Sequence, residues 1–243
     1  MIDSLHLDKH IRLAHIRAVA LTVVFALGAA LLVAAQQQTA TAPGVHPISG
    51  RPFAQVMGYQ GADWLDRTER VAEEEPDRAL DAINILYGST VADVGAGSGY
   101  MTVKMAKRVG LVGKVYANDI QPEMITLLRQ RLAKDKIANV ELVLGAVDDP
   151  KLPKASIDLI LMVDVYHEFQ QPQAMLRHMY EALKPGGRLV LLEYRKEDPS
   201  IPIRIEHKMS VADAKLEVEA EGYELSTVNE VLPRQHILIF TRP

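Results

Sequence analysis

The run from Val91 to Tyr100, VADVGAGSGY, constrains this chain more tightly than any other stretch. Two small apolar residues lead into Asp93, and glycines alternate at 95, 97 and 99. The pattern is that of a buried strand entering a tight turn and then a helix, predicted from Met101 to Val109. Glycine adopts positive φ and lets a ligand lie against bare main chain. The first turn of the helix then aims its unpartnered N–H groups at that ligand. The spacing is G-x-G-x-G, whereas a dinucleotide pyrophosphate is held by G-x-G-x-x-G, so the turn points away from a pyrophosphate. By itself it is also compatible with a merely tight strand-to-helix turn.

The next apolar-weighted run, Lys114 to Ile120, carries Asp119 at its end, twenty positions past Gly99. In a doubly wound sheet an acid ending the second strand sits beside the glycine turn and accepts hydrogen bonds from both hydroxyls of a ribose. Its other reading is an N-cap for the helix that begins near Pro122.

Three segments together, VADVGAGSGY, VYANDIQPEM and LKPGGRLVLLE (Leu183 to Glu193), resemble the class I S-adenosylmethionine-dependent methyltransferases. The resemblance runs from about Leu80 to the end of the chain. It implies that Asp93, Gly95, Gly97 and Gly99 cradle the methionine part of the cofactor, that Asp119 holds the ribose, and that Ile120 packs on the adenine.

Periodicity and punctuation fit that resemblance. A helix is predicted from Glu123 to about Lys134, with strands over Val140 to Leu144 and Ile157 to Val163. The latter is almost wholly apolar, as a strand buried on both faces should be. A helix from about Gln173 to Leu183 is ended by Lys184-Pro-Gly-Gly187, and a fifth strand follows over Arg188 to Glu193. Ser210, with Asp213 three residues on, starts a helix that runs to Gly222. Two closing strands, Glu224 to Val231 and His236 to Thr241, are joined by a connection short enough for an antiparallel hairpin. The expected fold is α/β, a Rossmann-like doubly wound sheet of seven strands, mostly parallel with a C-terminal antiparallel hairpin.

The chain has 243 residues, 48% hydrophobic, and a net charge of −4. One catalytic domain over residues 88–243 and an amino-terminal extension fit that length. Phosphate contacts need a basic face, and neither the charge balance nor an aromatic content of 5% provides a nucleic-acid surface. Lys9, Arg12 and Arg17 precede 18 uncharged residues, Ala18 to Ala35. They read as a secretory signal, with Val33-Ala34-Ala35 offering a cleavage site, or as a membrane anchor. Either places the catalytic domain outside the cytoplasm, because the basic residues lie on the amino-terminal side. Residues 36–57 read as a linker. Residues 58–87 read as a helical lid: Trp64, Leu65, Thr68 and Val71 have helical spacing, and Pro76 restarts a second helix. In it Tyr59, Trp64 and Arg67 are candidates to cover the cofactor, with an ordinary docking helix as the alternative.

Adenine recognition is expected after strand three, with the main chain at Val147 facing the ring and Asp148, or else Asp149, accepting from the exocyclic amine. Both acids also suit a turn cap before Pro150. Chemistry is expected beyond strand four, in Val163 to Phe169. His167 is the candidate general base, since imidazole titrates near neutrality without help. Glu168 is its candidate orienting partner, and Asp164 faces the cofactor's amino-acid portion. Loops at the strand ends converge, so Glu193 and His207 can meet His167, and Arg204 with His207 can hold an anionic acceptor. No histidine pair in the domain has H-x-x-x-H spacing, and no metal is expected.

The expected function is methyl transfer from S-adenosylmethionine to a small-molecule acceptor. The competing readings are a nicotinamide-dependent oxidoreductase and an exported binding protein that keeps the fold without catalysis.

Overall fold

The computed structural model describes residues 44–243. The expected signal or anchor, and the linker as far as residue 43, lie outside the described residues. Among the described residues, no helix is long and apolar enough to cross a membrane.

Three short helices come first: α1 (Ala62–Leu65), α2 (Arg70–Glu74) and α3 (Pro76–Ala82). The rest alternates as β1 (Thr90–Val94), α4 (Tyr100–Val109), β2 (Lys114–Asp119), α5 (Pro122–Asp135), β3 (Val140–Leu144), β4 (Ile157–Val163), α6 (Pro172–Ala182), β5 (Leu183–Tyr194), α7 (Val211–Glu219), β6 (Glu224–Asn229) and β7 (Gln235–Thr241). The strands form one seven-stranded sheet in the order β3-β2-β1-β4-β5-β7-β6. The first five pair in parallel, whereas β7 runs antiparallel to both β5 and β6. Strand order reverses between β1 and β4, which opens a crevice at their carboxyl ends.

Alternation along the strands builds a core on each face. Ile160, Met162, Leu189 and Leu191 point to one side, against Met175, Leu176 and Met179 of α6 and Ala214 and Val218 of α7. Leu159, Leu161, Val190 and Leu192 point to the other, against Met101, Met105 and Val109 of α4 and Leu80 of α3. Ser210 caps α7, its hydroxyl accepting from Asp213 N at 3.0 Å, as the spacing predicts.

Two amino-terminal segments differ from the sequence reading. Helical spacing across Trp64 to Val71 suggests one helix, yet the chain breaks after Leu65. Asp66 turns aside to pair with Arg131 at 2.6 Å, and Val71 is left 58% exposed. Residues 44–57, read as the end of a linker, pack into the domain and bury His46, Arg51 and Ala54. The buried polar side chains of this stretch, His46 and Arg51, meet Glu217, a partner far away in sequence.

Candidate active site

Positive φ at Gly95, Gly97 and Gly99 bends the chain sharply at the end of β1. Gly95 N and Ala96 N both donate to Asn118 O at 2.9 Å, which draws the turn against the end of β2. A Cβ at Gly95 would lie 2.5 Å from Val165 and one at Gly97 2.6 Å from Leu65, so glycine at both keeps the adjoining crevice open. Asp119 accepts from Gly97 N and from Gln121 N, each at 2.9 Å. It thereby ties the glycine turn to the loop that starts α5.

A cavity of about 290 Å³ lies in this crevice. Gly95, Gly97, Asp119, Ile120, Val147 and Asp164 line it, all of them expected cofactor residues, and Asn118, Met57 and Leu65 join them. Three expected residues do not reach it. Asp93 is buried beneath the turn, where it accepts from Thr102 Oγ1 at 2.5 Å. Gly99 starts α4 and abuts Leu128 of α5. Asp148 is exposed to solvent, while Asp149 caps the loop by accepting from Lys151 N at 2.7 Å. The register of that loop is set by Ala146 N donating to Asp149 O at 2.7 Å and by Asn118 Nδ2 donating to Pro150 O at 2.9 Å. Neither contact has a local sequence signature.

Asp164 stands where this cavity meets its neighbour. Its φ is 51°, an uncommon value for a residue with a side chain. Its Oδ2 accepts from Gln235 Nε2 at 2.7 Å, while Oδ1 is buried with no partner among the described residues. Burial, reinforced by the charges of Glu74 and Glu193, raises its pKa well above the usual carboxylate range. A buried oxygen left without a donor in a cavity wall fits a cationic or N–H-bearing ligand.

The second cavity, about 540 Å³, shares Val56, Met57, Leu65, Val163, Asp164 and Glu168 with the first. Trp64, Arg70, Tyr194, Ile203, Arg204, His167 and His207 also line it. Of the lid candidates, Trp64 lies in this wall with Arg67 stacked 3.6 Å from its ring centre. Tyr59 is tied by its N–H to Gln121 Oε1 at 2.9 Å.

A directional hydrogen-bond chain runs along the second cavity. Glu193 Oε2 lies 2.6 Å from His167 Nδ1, His167 Nε2 lies 3.2 Å from His207 Nδ1, and Arg204 Nη2 lies 2.9 Å from His207 Nε2. Arginine only donates, so His207 carries its proton on Nδ1 and donates it to His167 Nε2. His167 in turn donates from Nδ1 to Glu193, and its Nε2 lone pair accepts from His207 at the wall of the second cavity. Burial alone would lower the His167 pKa, but the charge and hydrogen bond of Glu193, with Glu168 and Asp164 nearby, raise it above 6.5. Burial lowers that of His207, and the neighbouring His167 and Arg204 lower it further.

The orienting partner of His167 is therefore Glu193 from β5, and not Glu168. The Glu168 carboxylate turns instead to accept from Met57 N at 3.2 Å. Burial pushes its pKa up to about 7. Ligand atoms of His167, Glu168 and His207 come within 4.8 Å of one another. With Arg204 donating into the pair, the two facing imidazole nitrogens share a proton.

Residues 91–187 match the family model described as a methyltransferase domain. A solved S-adenosylmethionine-dependent methyltransferase from Aquifex aeolicus superimposes with a TM-score of 0.73 at 27% identity, over 77% of this chain and 100% of that one. The chain carries a class I methyltransferase domain. The ubiquinone/menaquinone biosynthesis C-methyltransferase UbiE of Escherichia fergusonii is 35% identical over 118 residues, which is 48% of this chain and 47% of that protein. The Salmonella arizonae protein of the same description is 34% identical over the same length. The chain thus spans about half the length of the curated relatives it matches. The cofactor of a class I methyltransferase domain is S-adenosylmethionine. The lining suits it: glycines without Cβ, a carboxylate at the end of β2, and the partnerless Asp164 oxygen for the cofactor's ammonium.

Asp93 offers a test of how the turn is built. Burial raises its pKa from 3.8 to about 6, and the Thr102 hydrogen bond only partly offsets this. The folded state thus binds this proton more tightly than the unfolded chain, so the contribution of Asp93 to stability is fully present below pH 4 and is lost as pH rises from 4 through 6. The full loss is about 3 kcal/mol at two pKa units. Asp93→Asn is expected to flatten the decline in Tm between pH 4 and pH 8, measured by thermal denaturation. An unchanged slope would show that Asp93 is ionised in the folded protein throughout.

Proposed function

We propose that this protein transfers a methyl group from S-adenosylmethionine to a small acceptor that gives up a proton to His167. The observation carrying this reading is that a cavity suited to the cofactor opens, through a wall shared at Asp164 and Glu168, on a second cavity lined by His167, whose Nδ1 is held by the buried Glu193. When bound, the cofactor supplies an electrophilic methyl on its sulfonium.

The chain's own residues do the rest. Asp119 and the glycine turn fix the nucleoside, and Asp164 fixes the amino-acid end. Val56, Met57, Leu65 and Val163 exclude water along the boundary between the cavities, which keeps the acceptor oriented for in-line transfer. His167 Nε2, giving up its hydrogen bond from His207 Nδ1, takes the acceptor's proton, and Glu193 at its Nδ1 stabilises the imidazolium that forms. The mixed wall, apolar at Met57, Leu65 and Ile203 and protic at His167 and His207, suits an acceptor with an acidic hydroxyl or an activated carbon. The curated relatives are described as C-methyltransferases, which supports carbon as the receiving atom.

The full-length chain is incubated with methyl-tritiated S-adenosylmethionine and a small-molecule extract of the source cells. Label is expected in one solvent-extractable compound, and absent with His167→Ala. Intact binding of S-adenosylhomocysteine with no label transferred would favour the binding-protein reading. Residues 18–35 we read as a signal or anchor that carries the domain out of the cytoplasm. Fractionation with amino-terminal sequencing of the mature protein tests this, and an intact, soluble cytoplasmic chain would contradict it.

A further inference from the structure

Residues 44–57 arrive at the catalytic loop with a buried cation that the methyl-transfer scheme does not use. Arg51 is 6% exposed and Glu217 of α7 is fully buried. The two form a bidentate pair, Nε to Oε1 at 2.8 Å and Nη2 to Oε2 at 3.0 Å. The Ser49 hydroxyl also donates to Glu217, and His46 Nε2 lies 3.3 Å from the same carboxylate. Arg51 is further flanked by the rings of Tyr166 and Phe53, at 5.3 and 5.8 Å. Its remaining nitrogen, Nη1, donates to the main-chain carbonyl of His167 at 3.2 Å, and Ala54 N donates to that same oxygen at 3.0 Å.

We propose that Arg51 is a positioning residue: clamped by Glu217, it holds the backbone of His167 so that the imidazole meets Glu193 and His207 in the acceptor cavity. The proposal rests on His167 being the base. A guanidinium suits this task because its planar fork pairs with a carboxylate on one edge and keeps another N–H for the carbonyl, whereas a lysine ammonium is a single point. The segment reaches the cofactor side as well. Met57 N donates to Glu168, and Met57 O accepts from Gln121 Nε2 at 2.9 Å, two residues past Asp119. The strap therefore joins the loop after β4 to the loop after β2.

The test reads His167 itself and needs no acceptor. Its ring is faced by Glu193, Glu168, Asp164 and His207, so its protonation reports its placement. Imidazole resonances of the full-length chain are followed by nitrogen-edited NMR across pH, with His167 assigned from His167→Gln. S-adenosylhomocysteine binding is measured alongside by calorimetry.

Arg51→Ala is expected to move the His167 midpoint down toward that of an ordinary histidine and to abolish the protected N–H signal of its bond to Glu193, with affinity for S-adenosylhomocysteine unchanged. Arg51→Lys is expected to restore the signal in part. Removing the cation alone strands a buried carboxylate, so Arg51→Met with Glu217→Gln serves as a neutral, volume-matched pair with the same expected losses. A folded variant of either kind whose His167 midpoint and N–H signal match the parent overturns the proposal. Absence of S-adenosylhomocysteine binding in the parent chain would instead strike the methyltransferase reading and leave the clamp measurement standing.

Discussion

Asp119→Ala is expected to weaken S-adenosylhomocysteine binding by roughly 10² to 10⁴-fold while leaving the sheet folded. Each hydrogen bond from a hydroxyl to a carboxylate is worth about 1.5–3 kcal/mol. Two of them, one to each ribose hydroxyl, span that range at about 1.4 kcal/mol per decade. The same carboxylate accepts from Gly97 N and Gln121 N, so its removal also loosens both walls of the cavity. Asp119→Asn keeps an acceptor of the same shape and is expected to lose less. Burial raises the Asp119 pKa, opposed by the hydrogen bonds from Gln121 and Gly97. Binding is therefore expected to weaken on acidification at a pH above the usual aspartate range. Calorimetric titration across pH checks all three outcomes. An Asp119→Ala chain that binds like the parent would mean that the ribose is held elsewhere.

His167→Ala is expected to lower turnover about 10² to 10⁴-fold, the ordinary worth of a positioned base, with S-adenosylhomocysteine affinity unchanged because the ring lines the second cavity and not the first. A base works in its neutral form. Glu193 raises the His167 pKa above 6.5, so the rate is expected to rise with pH through a midpoint above that value. Glu193→Gln removes the charge that holds the midpoint up, and the rising limb is expected to move to lower pH while the maximal rate falls. A rate profile unmoved by Glu193→Gln would show that another group accepts the proton.

Much of this site was legible in the residues because its chemistry is local. A glycine turn, and an acid ending the next strand, each lie within one strand-to-helix unit, where period and spacing report geometry directly. Gly95, Gly97, Asp119 and Ile120 accordingly fall where the motif puts them. The partner of His167 was harder to read, because Glu168 is its neighbour in sequence whereas Glu193 is its neighbour in the sheet. Parallel pairing of β4 with β5 brings Glu193 beside the loop, a relation between strands and not between adjacent residues. The strap was harder still: Arg51 and Glu217 are 166 positions apart and meet only when α7 packs on the sheet. Asp148 and Asp149 show the opposite limit, in which two identical neighbours are told apart only by which one the loop turns to its own main chain.

The most direct measurement is titration of the full-length chain with S-adenosylhomocysteine, run in parallel with a reduced nicotinamide dinucleotide. Saturable heat at one site per chain with the former, none with the latter, and loss of that heat in Asp119→Ala is the expected result. A chain that stays silent to S-adenosylhomocysteine at high protein concentration, or that prefers the dinucleotide, contradicts the assignment of this crevice to a sulfonium nucleoside.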